Sequence, residues 1–410
     1  MNAAVSAPSR ASRASRLLMA GLVALGLAAG GAGAAAAVPQ AEPSQPERIS
    51  PAALAQAIAR LGDVDDAARA AAARTIRRVP AAEAVPALVQ AVLKDADQYV
   101  RYKALVLLTG FGGPQVRDTV GRVMQDRNDR LRLVAYKYFE HHPGPDADFA
   151  LLAALDHETA EFVRPALIRA LAAHGRDPAV QQALLKELGH GRTFFRSAVI
   201  EALGDYRATY AVGPLLEIIR QDPALRDDAV LALGKIGDRR ALSPIIALQA
   251  HAAREAQPEI AAAICLLGLH CQAQLGFLDA TLRFAQHHGG FQPLLRATVR
   301  SLAAVGVRGN ADALRMLLAV GVPAHDAARP PIALAVAAIA LRNTPFMLAS
   351  LAKDPDRAGA IALLADGFDM LEDDFEKEQF FVTVRHDYWS APAGSATRRL
   401  MVTLIEKLDF

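Results

Sequence analysis

The chain has 410 residues, 52% hydrophobic, 6% aromatic and 21% charged, with a formal net charge of +2. So much apolar content excludes a disordered chain, and the near-balance of charge excludes the basic footprint of a nucleic-acid binder. Abundant alanine, with few alternating β-branched runs, predicts an all-α fold.

In chain order, Arg10, Arg13 and Arg16 precede an uncharged run from Leu17 to Ala37 that ends in small residues. Ala35 and Ala37 fit a cleavage site before Val38, so residues 1–37 are expected to be a secretory signal peptide. The mature protein is then periplasmic or secreted, and its charge falls from +2 to −1 with the loss of three Arg. The alternative is an uncleaved anchor, because this run is long enough to span a bilayer. No Cys follows it and the Arg are not adjacent, which argues against a lipid anchor and a twin-Arg signal. No later stretch reads as membrane-spanning. Residues 38–48, rich in Pro and Gln, read as a linker.

From residue 49 onward the chain repeats itself. An apolar-Arg pair recurs at Val100-Arg101, Leu131-Arg132, Val163-Arg164, Phe195-Arg196 and Leu225-Arg226, with 31, 32, 32 and 30 residues between successive Arg. It returns less cleanly at Leu295-Arg296, Arg329 and Arg357. A fixed period near thirty signals stacked supersecondary units. In the clearest unit the first helix is expected at Tyr210–Gln221. Asp222-Pro223 then starts a second helix, from about Ala224 to Ile236. Gly237 is placed to stop it in the left-handed conformation, and Asp238 to open the next turn. Leu225, Ala229, Ala232, Leu233 and Ile236 form one apolar stripe, matched by Val100, Ala104, Leu107, Leu108 and Phe111. One unit cannot bury both its stripes, so the core must run the length of the array. The prediction is a right-handed α-solenoid of about ten two-helix units over 49–393, in single file with no closed centre. Spacing is irregular around 242–310, and a capping helix lies within 394–410.

The run "DPALRDDAVLALGKIGDRRALSPIIAL" is similar to the HEAT-like repeat, in the short form found in phycobilin lyases and many bacterial proteins. The resemblance rests on Asp222-Pro223, Leu225-Arg226, Ala229, Ala232-Leu233-Gly234, Ile236-Gly237-Asp238 and Ala241. It implies a scaffold more readily than an enzyme, with a phycobilin-lyase-like lyase or chaperone as the alternative. In that family the repeated Arg pairs with an Asp in the turn before the second helix, and Asp97, Asp129 and Asp222 stand at matching places. The Arg row is then either a ladder between units or a receptor for an anion.

The offsets complementary to the stripe give the candidate partner-binding ridge on the concave face. They hold Tyr102, Lys103, Val106 and Gly110, then Leu133, Val134, Lys137 and His141, then Pro165, Ala166, Arg169 and Ala173, then Ser197, Ala198, Glu201 and Asp205, and last Asp227, Asp228, Leu231 and Lys235. The charge of this ridge changes from basic at Lys103, Lys137 and Arg169 to acidic at Glu201, Asp227 and Asp228, a pattern suited to orienting a protein or peptide partner. It is equally the pattern of a solvated helix face. The segment "DGFDMLEDDFEKEQFFVTVRHDYWS", with Trp389, reads either as an acidic-aromatic hot spot or as an acidic solvent face with its rings under the C-terminal cap.

His141-His142 and His287-His288 are placed near helix ends. His157-Glu158 resembles one His-Glu pair of deoxyhypusine hydroxylase, an iron enzyme that needs several such pairs. Cys265 and Cys271 lie six residues apart, about 9 Å along an unbroken helix, beyond the roughly 7 Å a disulfide allows. They are expected to be buried free thiols, with Gly268 the one possible break between them. No catalytic, metal or cofactor residues are expected.

Overall fold

The computed structural model describes residues 49–408, so the expected signal peptide at 1–37 and linker at 38–48 lie outside the described residues. Within them are 22 α-helices and no strand. In chain order the pairs are α1 Pro51–Ala59 with α2 Asp66–Arg78, α3 Ala81–Lys94 with α4 Gln98–Thr109, and α5 Pro114–Val123 with α6 Asp129–His141. Next come α7 Pro145–His157 with α8 Arg164–Ala173, α9 Pro178–Glu187 with α10 Thr193–Asp205, and α11 Val212–Gln221 with α12 Arg226–Ile236. Then follow α13 Leu242–Gln249 with α14 Gln257–Leu266, α15 Cys271–His287 with α16 Gln292–Val307, and α17 Ala311–Gly321 with α18 Arg329–Arg342. The last are α19 Thr344–Lys353 with α20 Arg357–Met370, and α21 Asp374–Ser390 with α22 Ala396–Lys407. From α4 onward each even-numbered helix packs on the next even-numbered one as far as α20. The fold is an all-α solenoid.

The junctions follow from local chemistry. Asp222 accepts from the Ala224 N–H at 3.2 Å, but a turn intervenes and α12 begins at Arg226. Gly237, at φ 81°, ends the helix in the left-handed region that a side chain would strain. Asp238 then accepts from the Arg240 N–H at 2.9 Å, which opens the turn into α13.

The expected stripes are buried: Leu225, Ala229, Ala232, Leu233 and Ile236 all lie in the core, as do Val100, Ala104, Leu107 and Leu108. The complementary offsets correct the expectation of an open second face. Val106, Val134, Ala166 and Leu231 are buried too. The reason is that even-numbered helices are flanked by neighbours on both sides and covered on their inner face. In α14 every residue from Pro258 to Cys265 is buried. Leu231 joins a second apolar cluster, with Ala261, Ala262 and side chains of α16 and α18, whereas the rest of the α12 core belongs to the first.

The irregular stretch is a change of helix length. α13 has 8 residues, whereas α15 has 17 and α16 has 16. It also overturns the expectation for the cysteines. α14 stops at Leu266, the chain reverses through Gly268 (φ 82°) and His270 (φ 47°), and α15 starts at Cys271. That reversal brings the two Cα atoms within 4.0 Å, and Cys265 and Cys271 form a disulfide.

The expectation of a single file with no closed centre is corrected as well. α21 packs not only on α18, α19 and α22 but also on α4. Phe375 is buried in the first apolar cluster, while Phe380, Phe381, Val384 and Tyr388 are buried in the second. One helix thus joins the beginning of the array to its end.

Candidate functional site

The basic half of the predicted ridge meets the N-terminus of α21. Asp373 caps that helix by accepting from the Glu376 N–H at 3.2 Å. The acidic first turn that follows suits the positive end of the helix dipole. Each acid also faces a residue of the ridge. Tyr102 Oη and Lys103 Nζ donate to Asp374 Oδ2 at 2.8 and 2.6 Å, Lys137 pairs with Asp373, and His141 Nε2 lies 3.1 Å from Glu376 Oε1. Deeper still, Glu378 is 1% exposed and held by Arg77 Nη2 at 2.6 Å and Arg385 Nη2 at 2.9 Å. So Asp373, Asp374 and Glu376 face inward to the ridge, Glu378 is buried between Arg77 and Arg385, and the rings Phe380, Phe381 and Tyr388 are buried. Trp389 is 49% exposed, edge-on to Tyr388 at 5.0 Å.

The titration of this contact follows from its geometry. Burial opposes charge on the His141 imidazole, but Glu376 outweighs it and holds the pKa above the ordinary 6.5. Burial raises Glu376, and His141 outweighs that to hold it below the ordinary 4.5. The His contribution is therefore full below about 6.5 and fades as pH rises through its raised value. The Glu contribution is full above about 4.5 and is lost as pH falls through its lowered value. The pair is complete between those limits. Melting temperature measured from pH 6 to 9 is expected to decline for the wild type and to flatten for His141→Asn. Parallel curves would show that the pair contributes nothing.

The remaining half of the ridge is built around Asp205, at the end of α10. Arg169 Nη1, Lys235 Nζ and Arg342 Nη1 all donate to this one carboxylate, at 2.9, 2.8 and 3.0 Å. Arg169 also binds Glu140 through Nε at 2.9 Å, and Tyr206 donates to the same oxygen at 2.7 Å. Asp228 accepts from Ser197 at 2.6 Å and pairs with Arg300 of α16. Beside it, burial and then the Asp228 charge hold Asp227 above its ordinary range. Arg308 donates across to the Lys235 carbonyl at 2.7 Å, completing the last turn of α12. Burial and the nearby Arg207 lower the Arg308 pKa.

Between these walls lies a cavity of about 680 Å³. Six cationic side chains line it: Arg169, Lys235, Arg296, Arg300, Arg308 and Arg342. Only two carboxylates, Glu201 and Asp205, do so, and its apolar wall includes Val299, Ala303, Val307, Leu334 and Ala338. Arg296 has no hydrogen bond or ion pair with any described residue. Near Arg300, burial pushes the Glu259 carboxyl up to about 7, with Oε2 unpartnered. Of the residues expected on the ridge, Arg169, Glu201, Asp205, Leu231 and Lys235 line the cavity. Tyr102, Lys103, Lys137 and His141 are engaged by α21, and Asp228 by Arg300. Neither Asp227 nor Trp389 is in the lining. Sequence reasoning missed Arg300, Arg308 and Arg342, because nothing local to α16 or α18 says that they face α10 and α12.

A sequence model of HEAT repeats matches residues 51–137, 85–172 and 180–266, together just over half of the chain. The chain belongs to the HEAT repeat family. No curated protein sequence matches it. Among solved structures, human deoxyhypusine hydroxylase in complex with glycerol is 18% identical, with 62% of this chain and 95% of that one covered at a TM-score of 0.28. The complex of CpcE and CpcF of phycocyanin lyase from Nostoc sp. is also 18% identical, over 82% of this chain and 100% of that one, at 0.25. The karyopherin Kap121p, bound to the extreme C-terminus of the protein phosphatase Cdc14p, is 11% identical over 87% of this chain and 46% of that one, at 0.38. The HEAT chain thus spans less than half the length of that karyopherin.

In four successive HEAT units the repeated Arg is a ladder between neighbours, whereas Arg226 and Arg357 reach only backbone carbonyls and Arg296 pairs with no described residue. Arg101 pairs with Asp126, Arg132 with Glu158, Arg164 with Glu187 and Arg196 with Asp222, each reaching the carboxylate one unit onward. The guanidinium also donates to the carbonyls that end its own first helix, as Arg101 does to Val92 and Arg196 to Leu188, both at 2.7 Å. Pairing within one unit is not what forms: Asp97 instead caps α4, accepting from the Tyr99 N–H at 2.7 Å. Glu158 belongs to this ladder, binding Arg132 at 2.7 and 2.9 Å and accepting from Tyr136, while His157 is exposed. The paired histidines do end helices. His142, His287 and His288 each set Nδ1 against the carbonyl four residues back, at 3.0, 2.7 and 2.8 Å.

Proposed function

We propose that this HEAT protein is a non-catalytic scaffold of the cell envelope that binds a protein or peptide segment on its inner face. The observation that carries this reading is the cavity between α8, α10 and α12 on one side and α16 and α18 on the other, about 680 Å³ in volume. Its walls belong to packed helices held by ion pairs across the array, so a partner meets a preformed surface and little ordering is required. Apolar wall and charged rim together are the composition of a recognition site. Two further features support export: the uncharged Leu17–Ala37 run, with its small-residue end, and the Cys265–Cys271 disulfide, which persists in oxidising compartments.

A photo-crosslinking side chain at Leu334, which lines the cavity, tests the reading against one at Phe277, which is exposed but outside it. In cells, the Leu334 position is expected to capture a discrete partner from the envelope fraction, and Phe277 none. Equal capture at both positions, or recovery of the protein only from the cytosol, would overturn the proposal.

A further inference from the structure

The inner face already holds one acidic segment, and that segment is the chain's own. Asp373, Asp374 and Glu376 sit on Lys137, Lys103 and His141, and Phe375 beside them inserts its ring into the core. This internal contact shows what chemistry the even-numbered helices accept: carboxylates over a basic row, with an apolar side chain between. The same face continues into the cavity, where cationic side chains outnumber carboxylates and the positive charge is less fully answered. Arg296 has no partner among the described residues. Arg308 is satisfied by the Lys235 carbonyl rather than by a carboxylate. Arg300 contacts Asp228 through one nitrogen, and its side chain remains 45% exposed. A guanidinium carries five donors, so Arg300 still has N–H groups to offer.

We infer that this cavity binds an acidic peptide segment, whose carboxylates are received by Arg296, Arg300 and Arg308 and whose apolar side chain lies on the wall formed by Val299 and Leu334. The inference rests on the scaffold reading and specifies its partner class. Charge complementarity selects that class: six cationic side chains meet two carboxylates in the lining, and a near-neutral chain lacks the basic footprint that nucleic acid requires. The volume of about 680 Å³ holds a few side chains rather than a folded domain.

The test is fluorescence anisotropy with the purified protein and two labelled peptides: EDDFEKE, which copies residues 372–378, and its amide twin QNNFQKQ. The acidic peptide is expected to bind more weakly as salt is raised, and its twin not to bind. Arg296→Glu is the decisive variant, because Arg296 makes no hydrogen bond or ion pair with any described residue. It is expected to weaken binding about fivefold or more while leaving the melting temperature unchanged. Equal binding of the two peptides would overturn the acidic preference and leave the scaffold standing, whereas binding of neither would overturn both. Loss of binding in Lys103→Glu/Lys137→Glu but not in Arg296→Glu would place the peptide on the α4–α6 ridge and overturn the cavity assignment. Displacement by inorganic phosphate at matched ionic strength would reassign the cavity to a small anion.

Discussion

Replacing Glu378 with Ala is expected to destabilise the protein by on the order of 3 kcal/mol, the usual effect of breaking a buried ion pair by removing one partner. Glu378 is 1% exposed, and its loss leaves two guanidinium groups, Arg77 and Arg385, without their anion. The effect should also be localised. Glu378 joins α2 to α21, so hydrogen exchange should quicken in α1–α4, α21 and α22, while α8–α12 keep their protection. Truncating Arg77 and Arg385 as well should recover part of the loss, because no stranded charge then remains. Urea unfolding gives the magnitude and exchange gives the location. A uniform rise in exchange along the chain would show that the closing contact has no separate role.

The second large effect runs against helix propensity. Gly234 lies inside α12, where Ala is intrinsically better than Gly by about 1 kcal/mol. A Cβ at Gly234 would nevertheless lie 2.5 Å from the Ala263 Cα and 2.9 Å from its Cβ, so α12 and α14 touch backbone to backbone there. Gly204 meets Ala232 in the same way at 2.8 and 2.9 Å, one unit earlier. Gly234→Ala is therefore expected to cost about 2 kcal/mol through overpacking, even though it favours the isolated helix. Gly276→Ala, in α15 with nothing within 4 Å of the new Cβ, is the control and should stabilise by about 0.5–1 kcal/mol. Denaturation midpoints compare them directly. Stabilisation by both substitutions would mean that α12 and α14 do not approach this closely.

The period of the chain and the joints between units were legible because both are set by near neighbours. Gly237 ends α12 and Asp238 opens the next turn through contacts within a few residues. The stripe from Leu225 to Ile236 is read correctly because it packs on adjacent units. The reading of the complementary face failed at Val106, Val134, Ala166 and Leu231 for a definable reason. Small and apolar residues at those offsets signal a second contact, but they do not say with which element. For the Arg ladder, type and spacing were visible, yet whether Arg101 reaches Asp97 or Asp126 depends on how one unit is seated on the next.

The amino-acid sequence by itself determined an all-α array of HEAT units, their repeat length and most of their core, since each of these depends on interactions spanning one unit or two. The tertiary structure alone decided that Cys265 meets Cys271, that the acidic turn of α21 covers Lys103 and Lys137, and that Arg296, Arg300 and Arg308 share one cavity. The disulfide depends on a chain reversal at Gly268 and His270. The other two depend on small rotations between units, summed along the whole array, and no local pattern encodes that sum.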